Sequence, residues 1–271
     1  MTGREVVGLI KKNVGVPWNE RSYRDTFKLG NPDATVKGIA TTVMVTFDML
    51  KRANQAGLNM IVSHEDTFWN DRDETKDLTS NPLYKMKTDY ILKNDMIIWR
   101  IHDHMHAMRP DYTVVGSLRS VGVKGGEDAV MRPRVYTIPE TTLGEFASQV
   151  KRLTGSRAFR CVGDPKAKVS RILLGPGYAT PRMTAEADVV IGGEQQEADG
   201  AFDDVEYVAD GAFDDVEYVA DAASLGMAKG LIMLGHVVSE QPGMEDLAKW
   251  MRTFIKDVPI QFVPAEEPFW T

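Results

Sequence analysis

Short apolar runs alternate with amphipathic stretches along most of the chain, and both have the lengths of ordinary secondary-structure elements. The run "VKGIATTVMV" predicts a buried strand because it is apolar and rich in β-branched residues. The next stretch, "FDMLKRANQAG", has the spacing of an amphipathic helix, with Thr46 as its N-cap and its end at Gly57. A strand followed by a helix, repeated along the sequence, is typical of an α/β protein.

The same alternation continues towards the C-terminus. The runs "NMIVS" and "MIIWRI" predict two more strands, and between them a helix opens with Asn81 as N-cap and Pro82 as its first residue. The runs "DVVIGG", "GLIMLG" and "IQFV" predict later strands. Before the last of these, "EQPGMEDLAKWMRTFI" predicts a helix with Pro242 in its first turn.

A glycine-rich break, "VGVKGGEDAV", divides this pattern near the middle of the chain. Beyond it, "PRVYTI", a helix opened by the capping box Thr142–Glu145, "AFRCVG" and "VSRILLG" form a compact βαββ pattern. We therefore predict a first α/β lobe over residues 1–126 and a smaller βαββ lobe over residues 127–185. Residues 186–271 are expected to return to the first lobe.

One eleven-residue segment occurs twice in tandem, because residues 198–208 recur letter for letter at 209–219. Two copies are too few for a solenoid, which needs about three or more repeats. Eleven residues are close to three helical turns, so we expect a helix to absorb the second copy with a phase change of ~20°. A second copy that loops out is the alternative. The helical stripe would contain Ala201, Val205, Val208, Ala212, Val216 and Val219.

The formal net charge of −7 argues against a nucleic-acid partner, although each copy of the duplicated segment contributes four of the acidic residues. No run approaches the ~20 apolar residues that span a bilayer, and the N-terminus has the pattern of an amphipathic helix. We therefore expect a cytoplasmic protein that does not act at a membrane. Cys161 is the single cysteine, which excludes an internal disulfide framework, and its apolar neighbours predict an inert thiol in the core.

Four of the apolar runs end on a side chain that is able to bind a metal ion. These side chains are His64 followed by Glu65, His102, Glu194 and His236. Ligands of α/β proteins bind at the carboxyl ends of the strands, so we expect these ends to converge on one site. All five histidines of the chain lie at or near these positions, which favours a metal site over unrelated structural histidines.

The segment "WRIHDHMHAM" places His102, His104 and His106 at alternate positions. In an extended segment all three would point to one side, and in a helix His102 and His106 would still share a face. His236 and Glu240 are also four residues apart and would share a helical face. Imidazole with carboxylate is a ligand set for Zn, Fe, Mn, Co or Ni, and more than four ligands indicate two ions.

These motifs, in their order along the chain, resemble the Nif-three-like proteins (NGG-one-interacting factor three), a dinuclear-metal family of which some members are labelled GTP cyclohydrolase type two. The resemblance is carried by "VTFDMLKRANQAGLNMIVSHE", His102 with a partner four residues later, "VSRILLGPG", "GGE", "LGHVVSE" and "EEPF". It implies a two-lobed α/β fold with mixed sheets flanked by helices, in the short form without an inserted domain. It also implies a site for two divalent transition-metal ions between the lobes, and a homo-hexamer.

The resemblance also assigns metal ligands on this sequence, which are His64, Glu65, His106, His236 and Glu240. We add His102, at the strand end four residues before His106, to the predicted ligands. Two positions depart from the family pattern, because Glu65 stands where a second histidine is usual and His106 stands where an aspartate is usual. The exchange is compensated, since the family positions still supply three imidazoles and two carboxylates. His102 is expected to line the site, and His104 is the histidine least expected to take part.

Two neighbouring ions activate a water molecule and polarise a carbonyl or phosphoryl group, so we expect a hydrolase of a small-molecule or nucleotide-like substrate. Glu240 is the natural bridging carboxylate, and Asp103, Asp66 and Glu194 are candidates to orient ligands or to accept a proton. The alternative is a metal-handling protein or partner-binding scaffold without turnover. No Walker-type phosphate loop is present in the sequence, so nothing in it supports a triphosphate substrate.

Two aromatic residues, Phe68 and Trp69, follow the first predicted ligands closely. They are able to stack on a planar substrate, but packing in the core is the more common role of such residues.

Overall fold

The computed structural model describes residues 1–194 and 215–270, which form two compact α/β units. The first unit comprises Met1–Gly116 and Gln241–Glu266, and the second comprises Ser117–Glu240 and Glu267–Thr271. No helix within the described ranges combines the length and the apolar character that crossing a bilayer requires.

The helices and strands follow one another in the alternating order that the sequence predicts. In chain order they are α1 (Gly3–Asn13), β1 (Phe27–Leu29), β2 (Ile39–Thr42), α2 (Phe47–Gln55), β3 (Met60–Ser63), a short 3-10 helix (Lys76–Leu78), α3 (Pro82–Lys93), β4 (Ile97–Arg100), α4 (Asp103–Ala107), α5 (Tyr112–Ser120), β5 (Tyr136–Thr142), α6 (Leu143–Thr154), β6 (Arg160–Gly163), β7 (Lys168–Gly175), β8 (Val189–Gly192), α7 (Asp215–Ser224), β9 (Gly230–Met233), α8 (His236–Met251) and β10 (Ile260–Phe262).

The sheet of the first unit has the strand order β1-β4-β3-β2-β10. β4, β3, β2 and β10 are parallel, and only β1 is antiparallel to its neighbour. Met60 of β3 pairs with Ile39 of β2 and with Ile97 of β4, so the three central strands are in register. Their carboxyl ends therefore lie side by side along one edge of the sheet.

Helices cover both faces of this sheet. Side chains of Met60, Val62 and Trp99 pack with α1 and α8 on one face, while Ile61 and Ile98 pack with α2 and α3 on the other. Because successive side chains of a strand point to opposite faces, strands covered on both sides need continuous apolar runs. This explains why "NMIVS" and "MIIWRI" show no polar alternation.

The predicted helix starts are confirmed by their hydrogen bonds. The Thr46 side chain accepts from Met49 N, and the Asn81 side chain accepts from Leu83 N at the start of a helix whose first residue is Pro82. The predicted capping box of α6 is also present, because Thr142 and Glu145 each accept the other's backbone N–H. These caps satisfy backbone donors that have no partner inside a helix.

The sheet of the second unit has the order β5-β7-β8-β9-β6. β7, β8 and β9 are parallel, and β5 and β6 are antiparallel strands at the two edges. Both sheets are thus mixed and flanked by helices, which confirms the predicted fold class. The prediction of a core thiol at Cys161 is wrong, because this residue lies on the edge strand β6 and is exposed.

The observed units differ from the predicted lobes at both boundaries. The sequence predicts a change of lobe after residue 126 and a return at residue 186, but in the structure the second unit begins at Ser117 and continues to Glu240. The physical reason is strand pairing, since Val189 of β8 pairs with Ile172 of β7 and with Gly230 of β9. Two further strands therefore complete the sheet that the βαββ pattern only begins.

Two other expectations need comment. Pro242 lies in the second turn of its helix instead of the first, because α8 already begins at His236. The predicted helix over the duplicated segment lies mostly outside the described residues, which resume at Asp215 within the second copy. From there α7 is helical, and Val219 of the predicted stripe is buried against the sheet of the second unit.

We predict that Thr142→Ala lowers the free energy of unfolding by about 1 kcal/mol, because it removes the hydroxyl that caps α6. Thermal or urea unfolding measures this difference. Ser148→Ala in the exposed part of the same helix is the control, and we expect it to change stability by less than about 0.5 kcal/mol. Equal effects of the two substitutions would contradict the role of the cap.

Candidate metal centre

Three of the predicted ligands meet at the carboxyl edge of the first sheet. His64 follows β3 directly, His102 lies two residues beyond β4, and His106 lies one helical turn later, where its N–H donates to the His102 carbonyl. One ring nitrogen of each lies within 4.8 Å of the corresponding nitrogens of the other two. Two of the four strand ends that the sequence predicts to converge, those of β3 and β4, therefore bring their histidines together.

The three rings approach this space from different directions. His64 stacks on His102 with ring centroids 4.5 Å apart, and His106 lies edge-on to both at 4.8 and 4.7 Å. Zinc bound by three imidazoles at 2.0–2.1 Å would hold their nitrogens roughly 3.4 Å apart. Ring nitrogens near the 4.8 Å limit would have to move closer together for one ion to bind all three.

The hydrogen bonds of the rings decide which nitrogens have a lone pair. Nδ1 of His64 lies 3.1 Å from the Ile101 carbonyl oxygen, which is only an acceptor. Nδ1 therefore carries the hydrogen, and Nε2 carries the lone pair that a metal ion needs. Burial, and then the proximity of His102 and His106, lowers the pKa of His64 well below its usual value of 6.5. The ring is thus neutral and suited to ligation near neutral pH.

Carboxylates hold the other two rings in the same way. Nδ1 of His102 donates to Asp103 at 3.1 Å, and Nδ1 of His106 donates to Asp111 at 3.0 Å. An acceptor on one imidazole nitrogen is the usual partner of a histidine whose other nitrogen binds a metal ion, since it fixes the tautomer and the ring orientation. All three rings therefore offer Nε2 as the lone-pair nitrogen.

Asp111 is a residue of this site that the sequence did not predict. Its carboxylate is fully buried and also accepts hydrogen bonds from the backbone N–H and the hydroxyl of Thr113, at 2.8 and 2.6 Å. Asp111 thus orients His106, the residue that stands where the family pattern has an aspartate. The signal in the sequence was an acidic residue five positions after His106, and acidic residues at such spacings are common.

Asp103 has the geometry of an orienting residue. Burial alone would raise the pKa of Asp103, but hydrogen bonds from His102 and Ser22 and the positive charge of Arg24 hold that pKa well below its usual range. A carboxylate with such a low pKa is a weak base. The contacts therefore favour the orienting role over the proton-accepting role that was also expected of this residue.

Glu65 meets a partner that was not foreseen. Its Oε2 lies 3.1 Å from the guanidinium of Arg100, while its Oε1 lies 3.9 Å from Nε2 of His102. Arg100 is fully buried and also donates to the carbonyl oxygens of His64 and Asp71 and to the Asp71 carboxylate at 3.1 Å. Glu65 and Asp71 thus share the neutralisation of a buried cation, and the second carboxylate oxygen of Glu65 faces His102. A lone arginine in the apolar run "MIIWRI" was the available signal.

Asp66 is half-buried beside these groups. Burial, and then the charges of Asp73 and Glu65, raises the pKa of Asp66 above its usual value. A carboxyl group with a raised pKa is a better proton acceptor than Asp103, so Asp66 keeps its predicted role as a candidate base.

His104 points away from the other histidines of its segment. Its ring stacks on Trp18 with centroids 3.5 Å apart and an angle of 4° between the planes. Its Nε2 accepts a hydrogen bond from the backbone N–H of Asn19 at 2.7 Å, and its Nδ1 is hydrogen-bonded to Asp25. Both ring nitrogens are therefore engaged within the protein, which agrees with the low expectation for His104 as a ligand.

The second unit contains its own group of predicted residues. Glu194 and His236 follow the parallel neighbours β8 and β9, and Nδ1 of His236 lies 3.5 Å from Oε1 of Glu194. Nε2 of the same ring lies 3.0 Å from Oε2 of Glu240, one turn later on α8. The predicted helical pairing of His236 with Glu240 is thus present.

Gly177 brings the backbone close to this pair. It has a φ of +57°, and a Cβ atom built there would lie 2.2 Å from Oε1 of Glu240 and 3.1 Å from Nε2 of His236. Only glycine fits such a position, since it combines a left-handed conformation with a close approach. The "GPG" turn therefore packs against His236 and Glu240, and its glycine is explained by this contact without a phosphate-binding role.

The two aromatic residues near the first ligands have different surroundings. Phe68 is buried and packs edge-on against Tyr84, so its role is in the core. Trp69 is 48% exposed and has a φ of +63°, and the amine of Lys87 lies 5.3 Å from its ring centroid. Of the two, only Trp69 has an accessible ring surface.

Comparison with known protein families gives a match over most of the chain. The model of the family described as Duf34/NIF3 (NGG1p interacting factor 3) matches residues 1–206. This range includes His64, His102, His106 and Glu194, and it ends before His236 and Glu240. The search of curated proteins found no match.

Solved structures with the same fold extend over the whole chain. Staphylococcus aureus protein SA1388 has 15% sequence identity and a TM-score of 0.72, with 100% of this chain and 99% of that chain covered. A Bacillus cereus protein related to NIF3 has 14% identity and a TM-score of 0.74, with the same coverage. Protein ybgI, of unknown function, has 18% identity and a TM-score of 0.69, with 99% and 100% covered. At these identities the likeness establishes the fold.

We predict that the metal-free protein loses stability as the pH falls below about 6.5, partly through His64. The pKa of His64 is lowered in the folded state. Below about pH 6.5 the imidazole is therefore protonated in the unfolded chain and still neutral in the folded chain, and this difference favours unfolding. The contribution reaches at most about 1.4 kcal/mol per pH unit. Urea unfolding between pH 7.5 and 5 should therefore give a shallower pH dependence for His64→Asn. Identical slopes for the two proteins would contradict this.

Proposed function

This chain belongs to the Duf34/NIF3 family, and on that premise we propose that it is a transition-metal-binding protein whose first unit binds an ion through His64, His102 and His106. Two observations carry the proposal: all three rings have an acceptor on Nδ1, which leaves the lone pair on Nε2, and one ring nitrogen of each lies within 4.8 Å of the other two. All three rings thus have the same tautomer, with hydrogen on Nδ1. A purely structural role would not require three neighbouring histidines to share one tautomer.

The donor set fits a transition metal better than calcium or magnesium. Neutral imidazoles suit Zn, Fe, Mn, Co or Ni, whereas calcium and magnesium sites are built from oxygen atoms. We propose Glu65 as the carboxylate of this set, with Oε1 as the ligand atom and Oε2 retained by Arg100.

We propose that His236 and Glu240 are ligands of a second ion. The support is their pairing on one face of α8, with a carboxylate on each side of the ring and the backbone of Gly177 against it. Glu194 then has the role of orienting His236 through Nδ1, as Asp103 and Asp111 orient the histidines of the first unit.

The activity that this chemistry supports best is hydrolysis of a small-molecule or nucleotide-like substrate. Bound divalent ions supply an activated water molecule and polarise a carbonyl or phosphoryl oxygen. Among the residues of the chain, Asp66 is proposed to accept a proton, because burial and its acidic neighbours Asp73 and Glu65 raise its pKa above its usual value. Asp103 and Glu194 are proposed to position the ligands.

We predict that purified protein binds close to two divalent transition-metal ions per chain, measured by elemental analysis after loading with zinc or cobalt. His64→Ala and His106→Ala should each weaken binding by more than about 100-fold, since the loss of a ligand exceeds the 10–100-fold effect of losing an orienting partner. Cys161→Ser is the control, because it removes the single thiol of the chain without touching the histidines. Unchanged metal content in both histidine variants would refute the proposed site.

We predict that Glu240→Gln removes one ion per chain and abolishes turnover in a panel of phosphoester, amide and nucleotide substrates tested with zinc, manganese, iron, cobalt and nickel. The neutral amide keeps the size of the side chain but loses its charge. A protein that binds metal fully and stays inert across the panel would be the metal-handling alternative and would refute hydrolysis.

A further inference from the structure

Asp25 accepts four hydrogen bonds from residues 102–104, in the middle of the histidine segment. It lies between α1 and β1, and its side chain is buried. Its Oδ1 accepts the backbone N–H groups of His102 and Asp103, at 2.5 and 3.1 Å, and its Oδ2 accepts that of His104 at 2.9 Å. One carboxylate thus satisfies three consecutive backbone donors at the start of α4.

The side chain of His104 is a fourth donor to the same carboxylate. Because the N–H of Asn19 donates to Nε2 of His104, the ring hydrogen lies on Nδ1 and points to Asp25. Trp18 stacks on the other side of this arrangement and fixes the plane of the ring. His104, central in the sequence motif, therefore links its own segment to the residues that precede β1.

Neighbours of Asp25 hold Asp103 as well. The hydroxyl of Ser22 accepts the backbone N–H of Asp25 at 3.1 Å and donates to Oδ2 of Asp103 at 2.7 Å. Arg24 contacts Oδ1 of Asp103 at 3.3 Å. The segment of residues 18–25 thus contacts residues 102–104 through four side chains. These are the ring of Trp18, the hydroxyl of Ser22, the guanidinium of Arg24 and the carboxylate of Asp25.

We infer that Asp25 is a positioning residue for the metal ligands His102 and His106. It fixes the backbone at His102 directly, and it fixes His106 through the helical turn in which the His106 N–H donates to the His102 carbonyl. The inference rests on the proposed metal site. An ionised carboxylate is only an acceptor of hydrogen bonds, and it has two oxygens. The carboxylate of Asp25 is therefore suited to accept from all four donors, which are three backbone N–H groups and one ring N–H.

Asp25→Asn distinguishes positioning from a merely structural contribution. Asparagine caps helix starts about as well as aspartate, so the backbone contacts through Oδ1 survive. Its amide nitrogen, however, is itself a donor and would face the N–H groups of His104, where it replaces an acceptor. We therefore expect a folded protein in which the turn that carries His102 and His106 has shifted.

The matched control is Asn59→Ala. Asn59 is also buried in the first unit and ties together backbone groups of Lys37, Thr35 and Asp95. It lies before β3 whereas His64 lies after it, so the two ends are roughly 17 Å apart along the strand. Asn59→Ala therefore weakens the same unit without touching the histidine edge.

The experiment titrates cobalt(II) into metal-free wild type, Asp25→Asn and Asn59→Ala, and records affinity, the visible d–d spectrum and the melting temperature. We expect Asp25→Asn to weaken cobalt binding 10–100-fold and to alter the spectrum, as loss of a partner that orients ligands does. Asn59→Ala should lower the melting temperature and leave the affinity and the spectrum unchanged.

The outcomes separate this inference from the proposed function. If wild type binds cobalt and Asp25→Asn binds it equally well, or if Asn59→Ala weakens binding as much, Asp25 has no positioning role and the metal site stands. If wild type itself binds no cobalt, the proposed function fails and the inference fails with it. Should Asp25→Asn not fold, Asp25→Ser takes its place, because a serine hydroxyl still caps the start of α4 but offers one acceptor oxygen in place of two. Unchanged cobalt affinity in that variant would overturn the inference.

Discussion

Helices pack on both faces of the first sheet, and this packing determines where polar residues lie in the first unit. Strands packed between two apolar layers have no face on which a polar side chain meets water, so polar residues lie where the strands end. The parallel and in-register pairing of β3 with β4 then sets those ends side by side. A site for chemistry at the carboxyl edge follows from the packing of the core.

The polar edge keeps its order through a layer of acceptors behind the rings. The Ile101 carbonyl, Asp103 and Asp111 each fix one histidine, and Asp25 fixes the backbone between two of them. Buried polar groups are tolerated when all of them are satisfied, and a network of this kind has a single low-energy arrangement. The rigidity of the edge therefore comes from residues that need never touch a ligand.

Local patterns predicted what is local in this fold. Thr46 and Asn81 were recognised as caps because a cap acts on residues two or three positions away, and His64 and His102 were recognised because they follow apolar runs. Asp25 and its partner His102 are 77 positions apart, and no periodicity links them. Cys161 was misassigned because an edge strand has the same apolar composition as a central one. The unit boundary was misplaced because strand pairing decides it.

The buried ion pair of Arg100 and Glu65 has a consequence for substitution at position 65. With histidine in place of Glu65, the guanidinium of Arg100 would keep its backbone acceptors and the carboxylate of Asp71 at 3.1 Å. The side chain of Asp71 is 47% exposed and also pairs with Arg24, so it would compensate only in part for the partner that this fully buried cation loses. The residue at position 65 is therefore constrained by the charge inside the sheet as well as by what binds at its edge.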